Sequence, residues 1–197
     1  MLLLITPQKK ERYSRLLSSV ATTILSLDDA GIAERALELG ETSEINAEIK
    51  AKFYAQKSGL PVFSEDEALY VDFLPPEQQP GVHVRRINGK DEVNDGALLA
   101  YWEAIIANVP QDKRTGKWHI TYCFATPDGK TKAIAIDHPI LFFSPSSKAK
   151  IPGWPMSSLQ GPIEFGKPHS ELTDKERKSH NQVADDLIHK KLNELIS

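Results

Sequence analysis

The sequence predicts an α/β fold with a mixed central β-sheet flanked by helices. Its first residues, Leu2–Ile5, form a continuous apolar run, which is typical of a strand buried on both faces. A helical pattern over residues 9–17 follows this strand. Further along, two apolar segments flank the turn sequence Pro127-Asp128-Gly129 and predict a β-hairpin. Because the chain combines strand–helix order with a hairpin, a mixed sheet is favoured over a purely parallel one.

The composition is that of one globular domain, which we expect to span residues 1–197. A formal net charge of -3 gives no support to a surface that binds a nucleic acid polymer. The single cysteine, Cys123, excludes an intramolecular disulfide and fits a reducing compartment. The apolar start is too short for a signal peptide, and no segment approaches the ~18 apolar residues of a membrane span. We therefore expect a cytoplasmic protein.

The remaining elements follow from periodicity and end signals. Strands are predicted over residues 20–27, 60–63, 69–74, 118–126, 131–136 and 140–143, and a long loop over residues 144–168. Helices are predicted from Thr42 or Ser43 to about Ser58, and over residues 91–109 and 173–196. The first of these helices is expected to end at Gly59. Its predicted buried side consists of Ile45, Ile49 and Phe53 with Ala47 or Ala51.

Residues 40–74 carry the pattern that is most informative about function. Carboxylates stand at the ends of two predicted elements, and Lys50 lies on the helix between them. Mg²⁺ binds few carboxylates and completes its shell with water and substrate oxygens. A lysine supplies a mobile positive charge for phosphate. The segment therefore indicates phosphate chemistry at a metal ion.

The same segment resembles the ITPase-like family of pyrophosphatases that hydrolyse inosine, xanthosine and deoxyinosine triphosphates. The family pattern has a G-x-T segment leading to a helix with N-A-x-x-K-A, then E-D-T-x-L and a P-G-x-Y loop. The matching residues here are Gly40, Thr42, Asn46, Ala47, Lys50, Ala51, Glu65, Asp66, Leu69, Pro80, Gly81 and His83. The resemblance implies two lobes with a substrate cleft between them, and a homodimer.

The resemblance also implies roles for the acidic residues. In the family, a glutamate near the first motif and an aspartate of the second hold Mg²⁺ with the triphosphate. These positions map to Glu38 or Glu41, between which the alignment leaves the choice open, and to Asp66 with Glu65 beside it. Asp66 is the candidate for orienting or deprotonating the attacking water, and Lys50 for contacting phosphate.

Both ends of the chain depart from the family pattern. Thr6, Pro7 and Gln8 replace the T-G-N loop, and Lys10, or Lys9, is the candidate phosphate lysine that follows. The substrate-binding candidates implied by the resemblance are Thr6, Gln8, Lys10, Lys50, Trp154, Lys175 and His180. Pro155 and Asn181 replace the aspartate and the arginine that contact the base in the family.

The expected activity is Mg²⁺-dependent hydrolysis of nucleoside triphosphates, such as the non-standard purines ITP, XTP and dITP, to monophosphate and pyrophosphate. Two alternatives remain open: a catalytically degenerate nucleotide-binding relative, and a pyrophosphatase for another modified nucleotide. Glu67 stands where the family has Ser or Thr, and its carboxylate would either recruit a second metal or repel the triphosphate.

Overall fold

A computed structural model describes residues 2–6, 10–19, 21–87 and 92–196, and for residues 192–196 it describes the backbone only. The described residues form four α-helices, which are α1 (Lys10–Leu16), α2 (Ser43–Ser58), α3 (Asp95–Ala107) and α4 (Asp174–Ile196). The strands are β1 (Leu2–Ile5), β2 (Thr23–Leu25), β3 (Val62–Val71), β4 (Thr115–Ala125), β5 (Thr131–Phe142) and β6 (Gln160–Pro162). Short 3-10 helices lie at Pro76–Gln78, Gln111–Lys113, Pro155–Ser158 and His169–Glu171.

The six strands form one mixed sheet in the order β2-β1-β3-β4-β5-β6. Strand β1 pairs in parallel with both β2 and β3, whereas β6 pairs antiparallel to β5. The predicted α/β class with a mixed sheet flanked by helices is therefore confirmed.

The chain divides into two compact units. The first comprises Met1–Glu67, Ile120–Ile136 and Val183–Ser197, and the second comprises Ala68–His119 and Asp137–Gln182. Strands β3, β4 and β5 each pass from one unit into the other. A single domain over residues 1–197 stays a prediction.

In the first unit, alternate residues of the strands enter two separate apolar clusters. Leu3, Phe63 and Tyr122 pack with helix α1, whereas Val62 and Cys123 pack with helix α2. Because successive side chains of a strand point to opposite faces, the two helices cover opposite faces of the sheet. Cys123 is buried, and burial raises the pKa of its thiol to about 12.

The largest departure from the sequence-based expectation is strand β3. Residues 60–63 and 69–74 were expected to form two separate short strands, but Val62–Val71 is one strand of 10 residues. Pairing with β1 on one side and β4 on the other explains the difference, because these distant contacts hold polar residues in an extended conformation. The acidic run Glu65-Asp66-Glu67 consequently lies inside a strand.

Three other expectations need correction. The predicted strands 131–136 and 140–143 are one strand, β5, and the predicted strand 20–27 is reduced to the three residues of β2. The expected loop 144–168 contains a 3-10 helix and strand β6, which pairs with β5. Strand β6 has the sequence QGP, and only its neighbour in the sheet makes it a strand.

Helix α2 has the predicted ends and most of the predicted buried side, because Ile49 and Phe53 pack against the core with Ala47 and Ala51. The Thr42 hydroxyl accepts a hydrogen bond from Ile45 N, and Gly59 ends the helix with a φ of 67°. The buried residues are Ser43, Asn46, Ala47, Ala51, Tyr54 and Ala55, whereas Ile45 is 48% exposed. Ala47 and Ala51 were predicted correctly, but Ile45 was wrong. Small side chains on this face let the helix lie close to the sheet.

The turn before α2 depends on Gly40. Its N–H donates to Asn46 Oδ1 at 2.8 Å, and its carbonyl accepts from Asn46 Nδ2 at 3.2 Å. A Cβ at Gly40 would lie 2.6 Å from Ile45 Cγ2 and 2.7 Å from Asn46 Oδ1. These contacts leave no space for a side chain.

A tryptophan fills part of the core of the second unit. Trp102 of helix α3 is 1% exposed and packs on Phe142 at a ring separation of 6.1 Å. Across the described ranges, no helix has the length and apolar character needed to cross a membrane.

We expect Gly40→Ala to lower the free energy of unfolding by about 1–3 kcal/mol, because the added methyl group overlaps Ile45 and Asn46. Gly96→Ala is the matched control. A Cβ there has Asn94 Oδ1 as its nearest atom at 3.4 Å, and alanine favours the helix. Denaturant unfolding followed by circular dichroism measures both changes. Equal stability of the two variants would contradict the prediction.

Candidate active site

Lys50 lies between two carboxylates in the first unit. Its Nζ is 2.5 Å from Asp66 Oδ1 and 3.0 Å from Glu38 Oε2. The side chains of Lys50 and Asp66 are only 14% and 12% exposed, whereas that of Glu38 is 43% exposed. The structure therefore brings together three of the residues singled out in the sequence.

Each member of this cluster is held by a different piece of local structure. Lys50 lies in the second turn of helix α2, and Asp66 lies on the face of β3 that packs against this helix. Glu38 precedes the helix, and the paired hydrogen bonds between Gly40 and Asn46 fix the turn that follows it. Ser64 Oγ, on the same face of β3 as Asp66, donates to Ala47 O at 2.6 Å and ties strand to helix.

Burial and the neighbouring charges shift both ionisable groups of the buried pair. Burial by itself would lower the pKa of Lys50, but the carboxylates of Asp66 and Glu38 outweigh it and leave that pKa above its ordinary value. Burial raises the pKa of Asp66 to about 6; Lys50 opposes this rise, and Glu38 adds to it. The pKa of Asp66 therefore lies closer to neutral pH than that of an ordinary aspartate.

Glu65 does not join this cluster. It accepts a hydrogen bond from the Tyr13 hydroxyl on the side of the sheet covered by α1. Burial and the neighbouring Glu65 raise the pKa of Tyr13 well above the usual range. Adjacent residues of the acidic pair therefore contact different helices.

The other candidates of the first unit are more dispersed. Lys10 Nζ is 2.5 Å from Asp29 Oδ2, and both side chains are well exposed. Thr6 N donates to Phe63 O at 3.0 Å and continues the pairing of β1 with β3. Glu41 is exposed in the turn before α2. Gln8 lies outside the described residues.

An aromatic cluster in the second unit contains two of the predicted base-binding residues. The ring of Trp154 lies 4.6 Å from that of His169, which lies 5.5 Å from that of His180. His180 Nδ1 is 2.6 Å from Glu164 Oε1. Lys175 is exposed on α4. Trp154 is 37% exposed.

Sequence reasoning missed His169 and Glu164, which hold the cluster together. His169 follows Pro168 in the segment before α4, and no spacing pattern connects it to Trp154. Burial lowers the pKa of His169 to about 4, with further contributions from His180 and Arg177. Its ring is therefore neutral at physiological pH.

The carboxylates fit a small hard cation to a limited extent. Within the described part of the chain, no group of three or more His, Cys, Asp or Glu side chains has the geometry of a metal site. Glu38 and Asp66 nevertheless approach the same ammonium group and are close enough to raise the pKa of Asp66. Two carboxylates suffice for Mg²⁺, which keeps several waters and takes its other ligands from substrate phosphates.

The mixed sheet, its flanking helices and the motif order place this chain among the ITPase-like α/β proteins. A family model described as the Ham1 family matches residues 4–138. The chain therefore belongs to the Ham1 family, and the resemblance seen in the sequence is confirmed.

Relatives with curated names agree with this assignment. A dITP/XTP pyrophosphatase of Geobacter sulfurreducens is 33% identical over 141 residues, which are 70% of this chain and 68% of that protein. A dITP/XTP pyrophosphatase of Symbiobacterium thermophilum is 36% identical over 123 residues, covering 62% and 58% of the two chains. The match therefore spans less than two thirds of the second relative.

Solved structures share the fold over almost the full chain. The nucleoside-triphosphatase / dITP/XTP pyrophosphatase of Mycobacterium abscessus superposes with a TM-score of 0.74 at 23% identity, covering 95% of this chain and 97% of the other. The Staphylococcus aureus Ham1 protein gives a TM-score of 0.76 at 16% identity, with 98% of each chain covered.

The partly buried His169 predicts a pH-dependent stability. The folded chain protonates His169 only near pH 4, whereas an unfolded chain does so near its ordinary value of 6.5. Its contribution to stability is therefore complete above about pH 6.5 and is lost as the pH falls toward 4. Between pH 7.5 and 4, we expect the wild type to lose about 2–3 kcal/mol more unfolding free energy than His169→Phe.

Urea unfolding at a series of pH values measures this difference. His83→Phe, at an exposed histidine, is the control and should follow the wild-type pH dependence. Parallel curves for the wild type and His169→Phe would show that His169 does not titrate in this way.

Proposed function

We propose that the protein is a nucleoside triphosphate pyrophosphatase, which uses water to cleave the anhydride between the α- and β-phosphates. The products are a nucleoside monophosphate and pyrophosphate. The observation that carries the proposal is the largely buried Lys50, held between Asp66 and Glu38. The names of the curated relatives support the same reaction.

In this proposal, Lys50 binds the phosphate chain. Its ammonium group is a compact charge on a flexible stem, so that it can exchange a carboxylate contact for phosphate oxygens. Lys10, which we propose as a second phosphate ligand with Thr6 and Gln8, would leave Asp29 in the same way. The exposed pair of Lys10 and Asp29 costs little to separate.

Asp66 is the proposed group that orients the attacking water and accepts its proton. With a pKa of about 6, it is mostly ionised at neutral pH and still basic enough to act as a general base. Glu38 and Asp66 would hold Mg²⁺, which supplies charge neutralisation on the phosphate oxygens when bound. The resemblance also predicted Glu41 and Glu65 as metal ligands, but the ion pairs of Lys50 are with Glu38 and Asp66, and Glu65 is bonded to Tyr13 instead.

The nucleotide base is proposed to contact Trp154, Lys175 and His180, with ITP, XTP and dITP as the substrate class. Trp154 is 37% exposed, and we propose that its ring stacks on the base. Pro155 and Asn181 lack the groups that contact the base in the family, and this favours a second candidate, a pyrophosphatase for another modified nucleotide.

A third candidate is a nucleotide-binding relative without turnover, favoured by the ion pairs that already occupy Lys10 and Lys50. Calorimetry that shows saturable nucleotide binding, together with an absence of pyrophosphate release, would support it.

We also propose a homodimer and a cytoplasmic location, the latter from the lone buried Cys123.

Asp66→Asn tests the proposed reaction. Because an amide cannot accept the proton of the attacking water, we expect kcat for ITP, XTP and dITP to fall by about 10²–10⁴-fold. Pyrophosphate release with Mg²⁺ is the measurement, and Asp112→Asn, at an exposed aspartate, is the control. A wild type that releases no pyrophosphate from any nucleotide, and so matches Asp66→Asn, would refute the proposal.

Glu38→Gln and Glu41→Gln decide which glutamate holds the metal. Glu38 forms an ion pair with Lys50, which also pairs with Asp66, whereas Glu41 is exposed. We therefore expect only Glu38→Gln to raise the Mg²⁺ concentration needed for half-maximal activity, by at least about tenfold. Titration of activity with Mg²⁺ measures this value. The reverse order of effects would assign the metal to Glu41.

A further inference from the structure

Glu65 is the acidic residue of the β3 motif whose environment does not match its expected role as a metal ligand. We infer that Glu65 is a positioning residue. Its hydrogen bond from Tyr13 fixes β3 against α1, so that Asp66, on the other face of the strand, keeps its ion pair with Lys50. This inference rests on the proposed function for its catalytic consequence. Its structural part, the link from Tyr13 to the pair of Lys50 and Asp66, does not depend on that function.

The adjacent carboxylates of Glu65 and Asp66 lie on opposite faces of β3. Phe63 and Glu65 lie on the face of β3 that packs with α1, and Asp66 lies on the face that packs with α2. Two ligands of one Mg²⁺ lie within about 4 Å of each other, because each metal–oxygen distance is about 2.0–2.1 Å. Carboxylates held on opposite faces by Tyr13 and Lys50 do not meet that requirement.

Aromatic packing holds Tyr13, the hydrogen-bond donor to Glu65, in place. Tyr13 is 1% exposed, and its ring lies 5.4 Å from that of Phe63. Phe63 in turn stacks on Tyr122 at 5.7 Å with an interplanar angle of 15°. A hydroxyl fixed by this packing defines one position for the Glu65 carboxylate, and a part-buried hydrogen bond to a carboxylate contributes more than one between neutral groups.

The hydrogen bond between Tyr13 and Glu65 also bears on Asp66, the next residue of the strand. Helix α1 follows the segment that starts at Thr6, and Thr6 N is bonded to Phe63 O at 3.0 Å. The hydrogen bond between Tyr13 and Glu65 is a second tie between this segment and β3, two residues further along the strand. Loss of the tie frees the strand next to Asp66, and small displacements of a reacting group reduce rates strongly.

Three variants separate the roles. Tyr13→Phe removes only the donor, Glu65→Leu removes the acceptor, and Glu65→Gln keeps an acceptor oxygen but removes the charge. We expect kcat to fall about tenfold or more in Tyr13→Phe and Glu65→Leu with little change in KM, and to recover to within about threefold of the wild type in Glu65→Gln. A turnover of Tyr13→Phe equal to that of the wild type would overturn the inference.

Calorimetric titration with Mg²⁺ tests the metal directly, without nucleotide. A positioning residue predicts that Glu65→Gln binds Mg²⁺ within about twofold of the wild type, whereas Asp66→Asn binds at least tenfold more weakly. Equal weakening in Glu65→Gln and Asp66→Asn would make Glu65 a ligand and overturn the inference.

The ammonium group of Lys50 provides a readout that is independent of turnover. Its ¹H–¹⁵N signal, assigned by its absence in Lys50→Arg, reports how firmly the ion pair with Asp66 protects it from exchange with water. We expect exchange at least threefold faster in Tyr13→Phe and Glu65→Leu, and wild-type exchange in Glu65→Gln and in the control Tyr101→Phe. Unchanged exchange in Tyr13→Phe would refute the positioning role, whereas an inactive wild type with the expected exchange would refute only the proposed function.

Discussion

The alternation of side chains along strand β3 is the constraint on which both charged clusters depend. Val62 and Asp66 face helix α2, whereas Phe63 and Glu65 face helix α1. A slip of one residue in the register would exchange these faces and bury the wrong carboxylate under each helix. The buried aliphatic and aromatic neighbours therefore determine the register, and the register determines where the acidic side chains lie.

Stability alone does not explain the largely buried pair of Lys50 and Asp66. Removing both charges from water costs several kcal/mol per ion, and apolar side chains of similar volume are often as stable or more stable in such positions. The pKa of Asp66 is raised because burial, together with the neighbouring Glu38, outweighs the attraction of Lys50. A second carboxylate, Glu38, adds repulsion that folding does not require. An arrangement with this cost is typical of a functional site, where a cation or a phosphate chain completes the balance of charge.

Local signals in the sequence predicted what local interactions determine. Thr42 caps the start of helix α2 and Gly59 caps its end, as expected, because a capping residue interacts only with the nearest turn of the helix. The continuity of β3 was not predicted, because the extended conformation of its acidic residues depends on pairing with β1 and β4, which are far away in the chain. Asp66 and Lys50 were both selected, but their direct contact and the partner of Glu65 depend on that pairing. His169 carries no local signal, because its neighbours Trp154 and His180 come together only in the folded second unit.

Support for the two halves of the proposed reaction is unequal. The family match over residues 4–138 includes Glu38, Lys50 and Asp66, whereas Trp154 and His180 lie beyond it. This division has a chemical counterpart, since every nucleoside triphosphate presents the same phosphate chain but a different base edge. Stacking on an aromatic face tolerates any base, and selection among bases requires polar groups at the base edge. Because Pro155 and Asn181 stand where the resemblance implies a base-contacting aspartate and arginine, the proposed phosphate recognition has more support than any choice of base.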